Sequence, residues 1–268
     1  MHVYSWKERA PGMTMSVERV LVTGAGDSVG RRIAERFLER GDKVHICDVR
    51  ADAVKATLAA NPGMSGSAVD VGKRAEVDRL FADARAAMGD VSILVNVVGI
   101  AGPRGAIEDI DEDEWDRTIG VNLSGMFYCM KRVIPLLKAN GGGSIINFST
   151  CSTRTRLPWR APYIASKYGV EGLTLNAARE LGPFGIRCNA ILPGIINNER
   201  FNFIVSRNAA ATGRDPAAIE ADYLKYVSLR SKVELNELAD TVLFLALDSG
   251  KKITGELIAV SGNMEWEE

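Results

Sequence analysis

The sequence predicts a single α/β domain, doubly wound around a parallel sheet of about seven strands. Short runs of β-branched and apolar residues alternate with amphipathic stretches of helical length, which is typical of βαβ units. The strand-like runs are apolar throughout, as a sheet that helices cover on both faces requires. A chain of 268 residues, of which 46% are hydrophobic, is long enough to fold as one such domain.

The first half of the chain contains four predicted strands with helices between them. Ile33 and Phe37 belong to an apolar stripe at helical spacing that ends before Gly41. A second stripe, which includes Val77 and Phe81, predicts another helix. The four predicted strands are 20–22, 44–47, 68–69 and 93–95.

The second half continues the alternation with three more strands. The apolar face of residues 115–130 predicts a long helix, and a further helix is expected over about 163–181. Asn236 predicts the N-cap of a helix that carries Leu238 and Val242. The three predicted strands are 145–148, 188–192 and 257–260.

Two segments depart from this alternation. Residues 1–15 lack the apolar core of a signal peptide, and we interpret them as a disordered extension before a single catalytic domain over 16–268. Residues 195–229 are polar and rich in amides. We interpret them as a lid over the substrate, with an ordinary surface helix pair as the alternative.

Composition excludes several classes of function. The net charge is −1 and no block of Lys and Arg stands out, so neither a nucleic-acid partner nor an anionic membrane has electrostatic support. No run approaches the roughly 18 apolar residues of a membrane span, and we expect a cytoplasmic protein. With two histidines and four widely spaced cysteines, no metal site is expected.

A glycine-rich turn directly follows the first predicted strand and precedes a helix. Gly24, Gly26 and Gly30 lie in this turn, together with Ser28 and Val29. Glycines permit a tight turn and let backbone N–H groups approach a pyrophosphate at the helix N-terminus. The position between strand and helix therefore predicts a dinucleotide site, as in Rossmann-like folds.

The second predicted strand ends at Asp48. In dinucleotide-binding folds an acidic residue at this position accepts hydrogen bonds from the adenosine ribose and repels a 2′-phosphate. Asp48 therefore favours NAD(H) over NADP(H), although Arg50 lies close enough to contact a phosphate. The alternative is that Asp48 is a turn residue at the end of the strand.

Tyr163 and Lys167 lie one helical turn apart, on the same face of a predicted helix. A free phenol has a pKa of about 10 and is a poor base at neutral pH. A neighbouring ammonium favours the phenolate, so we expect Lys167 to lower the pKa of Tyr163. Tyr163 is then a candidate general base for oxidation of an alcohol and a general acid in the reverse direction.

Taken together, these residues resemble the short-chain dehydrogenase/reductase family over residues 20–263. The resemblance depends on the order and spacing of several elements along the chain. They are the Thr-Gly-rich turn, Asp48, Asp70 with Val71, Asn96 with Gly99, Asn122, Ser149 with Thr150, Tyr163 with Lys167, and Pro193 with Gly194.

The resemblance implies a role for each of these positions. Tyr163 would exchange the substrate proton, Lys167 would also hold the nicotinamide ribose, and Asn122 would sustain a water-linked proton path. Thr150 would bind the substrate oxygen. The implied cofactor-binding residues are Gly24, Gly26, Ser28, Val29, Gly30, Asp48, Asp70, Val71, Asn96, Gly99, Tyr163, Lys167, Pro193, Gly194, Ile196 and Asn198.

Several positions depart from the family pattern. Ser28 replaces a glycine of the turn, where its Cβ could crowd the phosphates or its hydroxyl could bond one. Thr150 replaces the serine that binds the substrate oxygen; Ser149 and Ser152 are neighbours that could substitute for it. Asn198 stands where the family often has threonine. Asn122 could instead bond backbone in the core, and Thr150 could cap a strand end.

The predicted function is hydride transfer between NAD(H) and a secondary alcohol or ketone. Arg154, Arg156 and Arg160 precede the tyrosine, which favours a polar or anionic substrate such as a sugar, polyol or hydroxy acid. A 3-oxoacyl-thioester reductase is the alternative among enzymes, and a non-catalytic nucleotide-binding scaffold is the alternative from another class. The resemblance also implies a homodimer or homotetramer.

Overall fold

Seven parallel strands form one sheet in the order β3-β2-β1-β4-β5-β6-β7. The computed structural model describes residues 16–264, so the predicted extension over 1–15 lies outside the described residues. The parallel seven-stranded sheet confirms the predicted fold class. The strands are β1 Arg19–Thr23, β2 Lys43–Asp48, β3 Ser65–Ala68, β4 Ile93–Asn96, β5 Gly143–Phe148, β6 Ile186–Pro193 and β7 Leu257–Val260.

Helices connect the strands and cover both faces of the sheet. They are α1 Ser28–Glu39, α2 Ala51–Ala60, α3 Arg74–Met88, α4 Glu112–Ile119, α5 Gly125–Ala139, α6 Ser152–Thr155, α7 Ala161–Leu181, α8 Glu199–Thr212, α9 Pro216–Leu224 and α10 Leu235–Ala246. No helix of residues 16–264 is long and apolar enough to cross a membrane.

The apolar strand residues serve two cores, one on each face of the sheet. Leu21 of β1 packs on the side of α3, α5 and α7, whereas its neighbours Val20 and Val22 pack on the side of α1 and α10. Successive side chains of a strand point to opposite faces. A strand that is covered on both faces is therefore apolar along most of its length, which explains the apolar runs in the sequence.

The long helix predicted over 115–130 is interrupted by one wider turn. A π-helical turn over Gly120–Ser124 separates α4 from α5. Such turns insert a residue into the helical repeat and are frequent at functional sites. Here the turn contains Asn122, which is fully buried.

Two local predictions are wrong, and one helix is missing from the predicted elements. The third strand lies at Ser65–Ala68, so Val69 is outside it, and helix α2 was not predicted. Asn236 is not an N-cap, because α10 begins one residue earlier and is capped by Glu234, whose N–H donates to Glu237. The side-chain oxygen of Asn236 instead accepts a hydrogen bond from Arg32 at 2.6 Å.

The polar segment 195–229 forms a helix pair after β6. Phe201 of α8 packs edge-on against Tyr223 of α9, with 5.5 Å between ring centroids. Residues Val205, Ala209 and Ile219 complete this small apolar cluster. The pair thus has a core of its own, and its action as a lid stays a prediction.

Candidate active site

The predicted site residues come together at the carboxyl ends of the strands. The glycine-rich turn follows β1, Asn96 ends β4, Thr150 follows β5 and Pro193 ends β6. The chain leaves β1 toward β2 on one side, and β4 lies on the other side of β1. Ligands of open α/β sheets bind at this reversal of strand order, beyond the carboxyl ends of the strands.

The turn after β1 is tight enough that only glycine fits at two positions. Gly24 has a φ of +64°, and a Cβ there would lie 2.9 Å from the backbone nitrogen of Val98. A Cβ on Gly30 would collide with the carbonyl oxygen of Gly24. Asp27, at the N-cap of α1, makes no side-chain bond to the helix. The narrow turn and the uncapped helix end fit a pyrophosphate.

Ser28 tolerates the backbone conformation for which the family pattern has glycine. Its φ is +46°, in the left-handed region where a side chain costs roughly 1–2 kcal/mol. Its hydroxyl accepts a hydrogen bond of 3.4 Å from the amide of Asn198. The oxygen of that amide caps α8 by accepting from the N–H of Phe201. Ser28 and Asn198, 170 residues apart in the chain, therefore meet at the predicted cofactor site.

Asp48 lies at the end of β2 and is 8% exposed. One carboxylate oxygen accepts a hydrogen bond from the N–H of Gly26 at 3.1 Å. The other accepts from the N–H of Arg50 at 3.0 Å and from its Nε at 3.2 Å, while Arg50 also pairs with Asp27 at 2.8 Å. Asp48 is thus held beside the glycine-rich turn. The guanidinium of Arg50 is paired with both Asp48 and Asp27.

Asp70 and Val71 follow β3 and come next to the long helix. The carboxylate of Asp70 accepts a hydrogen bond of 3.0 Å from the N–H of Gly72. Val71 is buried, and a Cβ on Gly125 would lie 2.8 Å from its side chain. The absence of a side chain at Gly125 therefore lets α5 approach this loop closely.

Asn96 and Gly99, which the sequence predicts together, differ in their surroundings. The amide of Asn96 donates to Asn147 at 3.0 Å, and its buried oxygen has no hydrogen-bond partner within residues 16–264. Gly99 faces the predicted catalytic residues, because a Cβ there would lie 3.2 Å from Nζ of Lys167 and 3.6 Å from Asn122. A side chain at position 99 would therefore cover the ammonium.

Tyr163 and Lys167 share one face of α7, as predicted. The Nζ of Lys167 lies 6.0 Å from the centroid of the Tyr163 ring. It donates a hydrogen bond of 2.7 Å to the carbonyl of Phe148, the last residue of β5. The hydroxyl of Tyr163 has no protein partner in the part of the chain that the structure describes, and the side chain is partly exposed.

Burial governs the charge of Lys167. The side chain is 3% exposed, and burial lowers its pKa to about 8, while the negative charge of Glu171 acts in the opposite direction. Glu171 lies one turn further along α7, and its Oε1 accepts hydrogen bonds from Ser149 at 2.6 Å and Thr153 at 2.8 Å. This carboxylate links the lysine to the loop after β5.

Asn122 bonds the backbone with both ends of its amide. Its oxygen accepts from the N–H of Ile100 at 2.8 Å, and its nitrogen donates to the carbonyl of Ile100 at 3.0 Å and to Ser166 at 3.0 Å. These contacts match the alternative reading of a buried structural amide. They also join the loop after β4 to α7, on which Tyr163 lies.

The three hydroxyls after β5 have different hydrogen-bond partners. Ser149 is engaged with the carboxylate of Glu171 and is buried. Thr150 and Ser152 bond one another, with 3.2 Å between their hydroxyl oxygens. The hydroxyl of Thr150 also accepts the N–H of Ser152 at 3.1 Å. Of the three candidates for the substrate oxygen, Ser149 is the one whose hydroxyl already serves a buried charge.

The loop after β6 contains several of the predicted cofactor-binding residues. A Cβ on Gly194 would lie 2.8 Å from Ser261, so the absence of a side chain lets this loop approach the chain after β7. Ile196 pairs with Val233 in an isolated bridge. Val29, in the first turn of α1, is 7% exposed and belongs to the core on that face.

Sequence reasoning missed the part played by Glu171, and it treated Arg160 only as one of several arginines. Glu171 stands four residues after Lys167, a spacing at which two helical residues are neighbours, so a signal was present. Nη2 of Arg160 donates a hydrogen bond of 2.7 Å to the carbonyl of Ala101. The guanidinium carbon of Arg160 lies 5.0 Å from the centroid of the Tyr163 ring. The bond to Ala101 joins segments that are distant in the chain, and no local pattern marks it.

The four cysteines are buried, as the apolar runs around three of them predict. All are free thiols, and burial raises the pKa of each. The thiol of Cys151, close to Thr150 in sequence, contacts the carbonyl of Leu192 at 3.1 Å. Within residues 16–264 no group of His, Cys, Asp and Glu could hold a metal ion.

Comparison with known proteins shows that the chain is similar to reductases and dehydrogenases. The family model described as "Enoyl-(Acyl carrier protein) reductase" matches residues 24–264. The 3-oxoacyl-[acyl-carrier-protein] reductase FabG of Staphylococcus epidermidis is 36% identical over 250 residues, which cover 91% of this chain and 97% of that protein.

Two solved structures extend the likeness. A variant of actinorhodin polyketide ketoreductase with NADPH has a TM-score of 0.87 and 27% identity, covering 92% of this chain and 97% of that one. NAD+-bound xylitol dehydrogenase has a TM-score of 0.85 and 26% identity, covering 91% and 98%. These two proteins hold different nicotinamide cofactors on the same fold.

Proposed function

The chain belongs to the short-chain dehydrogenase/reductase family of oxidoreductases, and from this premise we propose that it transfers a hydride between NAD(H) and a secondary alcohol or the corresponding ketone. The observation that carries the proposal is the partly exposed side chain of Tyr163, whose ring centroid lies 6.0 Å from the buried ammonium of Lys167, at the carboxyl edge of the sheet. Bound NAD(H) supplies the hydride chemistry, and the protein supplies position and proton transfer.

In the oxidation direction the hydroxyl proton of the substrate passes to the oxygen of Tyr163. The positive charge of Lys167 stabilises the negative charge on that oxygen before the transfer. Thr150 binds the substrate oxygen, with Ser152 beside it as a second hydroxyl. Asn122 acts on this site by holding Ile100 and Ser166 in place.

Asp48 supports NAD(H) over NADP(H). Its buried carboxylate lies beside the glycine-rich turn, where it accepts ribose hydroxyls and repels a 2′-phosphate. Arg50, the cation that could otherwise attract that phosphate, is already paired with Asp48 and Asp27. The remaining cofactor contacts are proposed at Gly24, Gly26, Ser28, Val29, Gly30, Asp70, Val71, Asn96, Gly99, Pro193, Gly194, Ile196 and Asn198.

A polar small molecule such as a sugar, polyol or hydroxy acid is the substrate that we favour. The arginines before Tyr163 and the likeness to xylitol dehydrogenase support it. The likeness to FabG favours a second candidate, reduction of a 3-oxoacyl thioester. We further propose a cytoplasmic homodimer or homotetramer; four free thiols are typical of a reducing compartment.

Oxidation of a panel of sugars, polyols and hydroxy acids by the full-length protein with NAD+ tests this function. Tyr163→Phe removes the proton acceptor, so we expect kcat to fall roughly 100- to 10,000-fold. Calorimetric NAD+ binding should stay unchanged. Tyr128→Phe, on α5, is the matched control and should keep the rate. Equal rates for wild type and Tyr163→Phe would refute Tyr163 as the proton acceptor, and binding of NAD+ without oxidation of any substrate would favour a nucleotide-binding scaffold.

A further inference from the structure

Three arginines from three separate elements converge on the proposed catalytic edge. Arg104 lies in the loop after β4, Arg160 directly precedes α7, and Arg200 lies in the first turn of α8. Within residues 16–264 none of the three pairs with a carboxylate. Elsewhere the chain does pair many of its arginines, for example Arg31 with Glu35 at 2.8 Å.

Two hydrogen bonds bring the loops of Arg104 and Arg160 together. The N–H of Gly105 donates to the carbonyl of Trp159 at 3.2 Å, and Nη2 of Arg160 donates to the carbonyl of Ala101 at 2.7 Å. Each bond joins the loop after β4 to the segment before Tyr163. One of these bonds is between backbone groups and the other comes from Arg160 itself. Together they hold the two segments, and so the two arginines, near each other.

Arg160 points its cation at the tyrosine and leaves a donor unused. Its guanidinium carbon lies 5.0 Å from the centroid of the Tyr163 ring. Its Nε is buried and has no hydrogen-bond partner in the described part of the chain. A buried donor without a partner is unfavourable, and an anion beside it would relieve that cost.

The electrostatics agree with this reading. Burial lowers the pKa of Arg160, the positive charges of Arg200 and Arg104 lower it further, and Tyr163 opposes them. Like charges are thus gathered where no acidic side chain compensates them. A guanidinium remains protonated under these conditions, so the site favours a negative ligand beside Arg160.

We propose that the substrate is a short hydroxy acid or its keto form, whose anionic group is bound by Arg160 with help from Arg104 and Arg200. This inference rests on the proposed hydride transfer. The guanidinium carbon of Arg160 lies 5.0 Å from the centroid of the Tyr163 ring, so a short molecule can reach both groups. A phosphate ester offers the same anionic oxygens, whereas a neutral thioester does not.

Anion binding is measured first, independently of turnover. Malonate, malonamide and inorganic phosphate are titrated calorimetrically into the full-length protein with saturating NAD+. Malonate should bind more tightly than malonamide, and phosphate binding equal to or tighter than malonate assigns the site to phosphorylated substrates. Arg160→Gln should weaken anion binding roughly ten- to hundredfold, because a charge-assisted hydrogen bond is lost.

Exposed arginines provide two further site variants and one control. Arg104→Gln and Arg200→Gln should weaken anion binding without harming the fold, since both side chains are exposed. Arg85→Gln, at the far end of α3, should leave the anion affinity unchanged. Equal affinity for malonate and malonamide, or undiminished anion binding in all three site variants, would overturn the proposal.

Kinetics separate this inference from the function on which it rests. For 3-hydroxybutyrate, Arg160→Gln should raise KM more than it lowers kcat, and for 3-hydroxybutyramide it should change neither. Turnover of the amide with a KM equal to that of the acid would overturn the anion site alone. Anion binding without oxidation of any alcohol would support the anion site and refute the proposed hydride transfer.

Discussion

Replacing Lys167 by methionine should change the pH dependence of stability as well as remove activity. The ammonium is 3% exposed, and its pKa falls from the ordinary 10.5 to about 8 because burial disfavours the charged form. Between those two values the unfolded chain binds more protons than the folded protein. The free energy of unfolding of the wild type therefore rises with pH across this window.

The size of the effect follows from these two pKa values. A pKa difference from 10.5 to about 8 corresponds to roughly 3 kcal/mol in full, of which about 2 kcal/mol is gained between pH 7 and pH 9.5. The methionine variant has no group to titrate at this position and lacks that gain. Loss of the 2.7 Å bond to the carbonyl of Phe148 shifts its stability at all pH values alike.

Urea unfolding of the full-length protein without added nucleotide, at pH 7 and pH 9.5, measures the difference. The control is Lys55→Met, an exposed lysine of α2, which should follow the wild type. Other groups that titrate in this range are shared by all three proteins and cancel in the comparison. If the free energy of unfolding changes with pH equally in wild type and Lys167→Met, burial does not lower the pKa of Lys167 and the explanation is refuted.

Three further outcomes are expected. Gly30→Ala places a methyl group against the carbonyl of Gly24 and should lower stability by about 2 kcal/mol or more in urea unfolding, whereas Gly172→Ala, mid-helix with open space around it, should raise stability by roughly 0.5–1 kcal/mol. Glu171→Gln removes the charge that raises the pKa of Lys167, so the rise of stability with pH should begin at a lower pH; an unchanged onset would contradict this coupling. Asp48→Ser frees Arg50 for a 2′-phosphate, and kcat/KM with NADP+ should increase at least tenfold relative to that with NAD+; an unchanged ratio would show that Asp48 does not select the cofactor.

Local patterns in the sequence were sufficient for most of the fold. Apolar runs predicted six of the seven strands in place, because a strand buried on both faces is apolar along most of its length. The third strand, Ser65–Ala68, has no apolar run and was predicted only at its last residue. The errors came where local signals compete: Asn236 is a good N-cap by type, but Glu234 caps the helix with Glu237. Helix α2 was missed because it buries only Val54 and Thr57, so its apolar stripe is short.

The candidate site divides in the same way. The positions of Tyr163 and Lys167 on one helical face follow from a spacing of four residues, and the glycines of the turn follow from their place between a strand and a helix. Roles that depend on partners elsewhere did not follow. In the sequence Ser149 is equivalent to its neighbours, whereas in the structure its hydroxyl donates a hydrogen bond to the carboxylate of Glu171.

By itself, the sequence determined the parallel α/β fold, the glycine-rich turn after β1 and the pairing of Tyr163 with Lys167, since each depends on residues close together in the chain. Only the tertiary structure decided the protonation of Lys167, the contact of Ser28 with Asn198 and the gathering of Arg160 with Arg104 and Arg200. Burial and the proximity of charges arise when distant segments come together at the carboxyl edge of the sheet. Periodicity along the chain does not predict which distant segments these are.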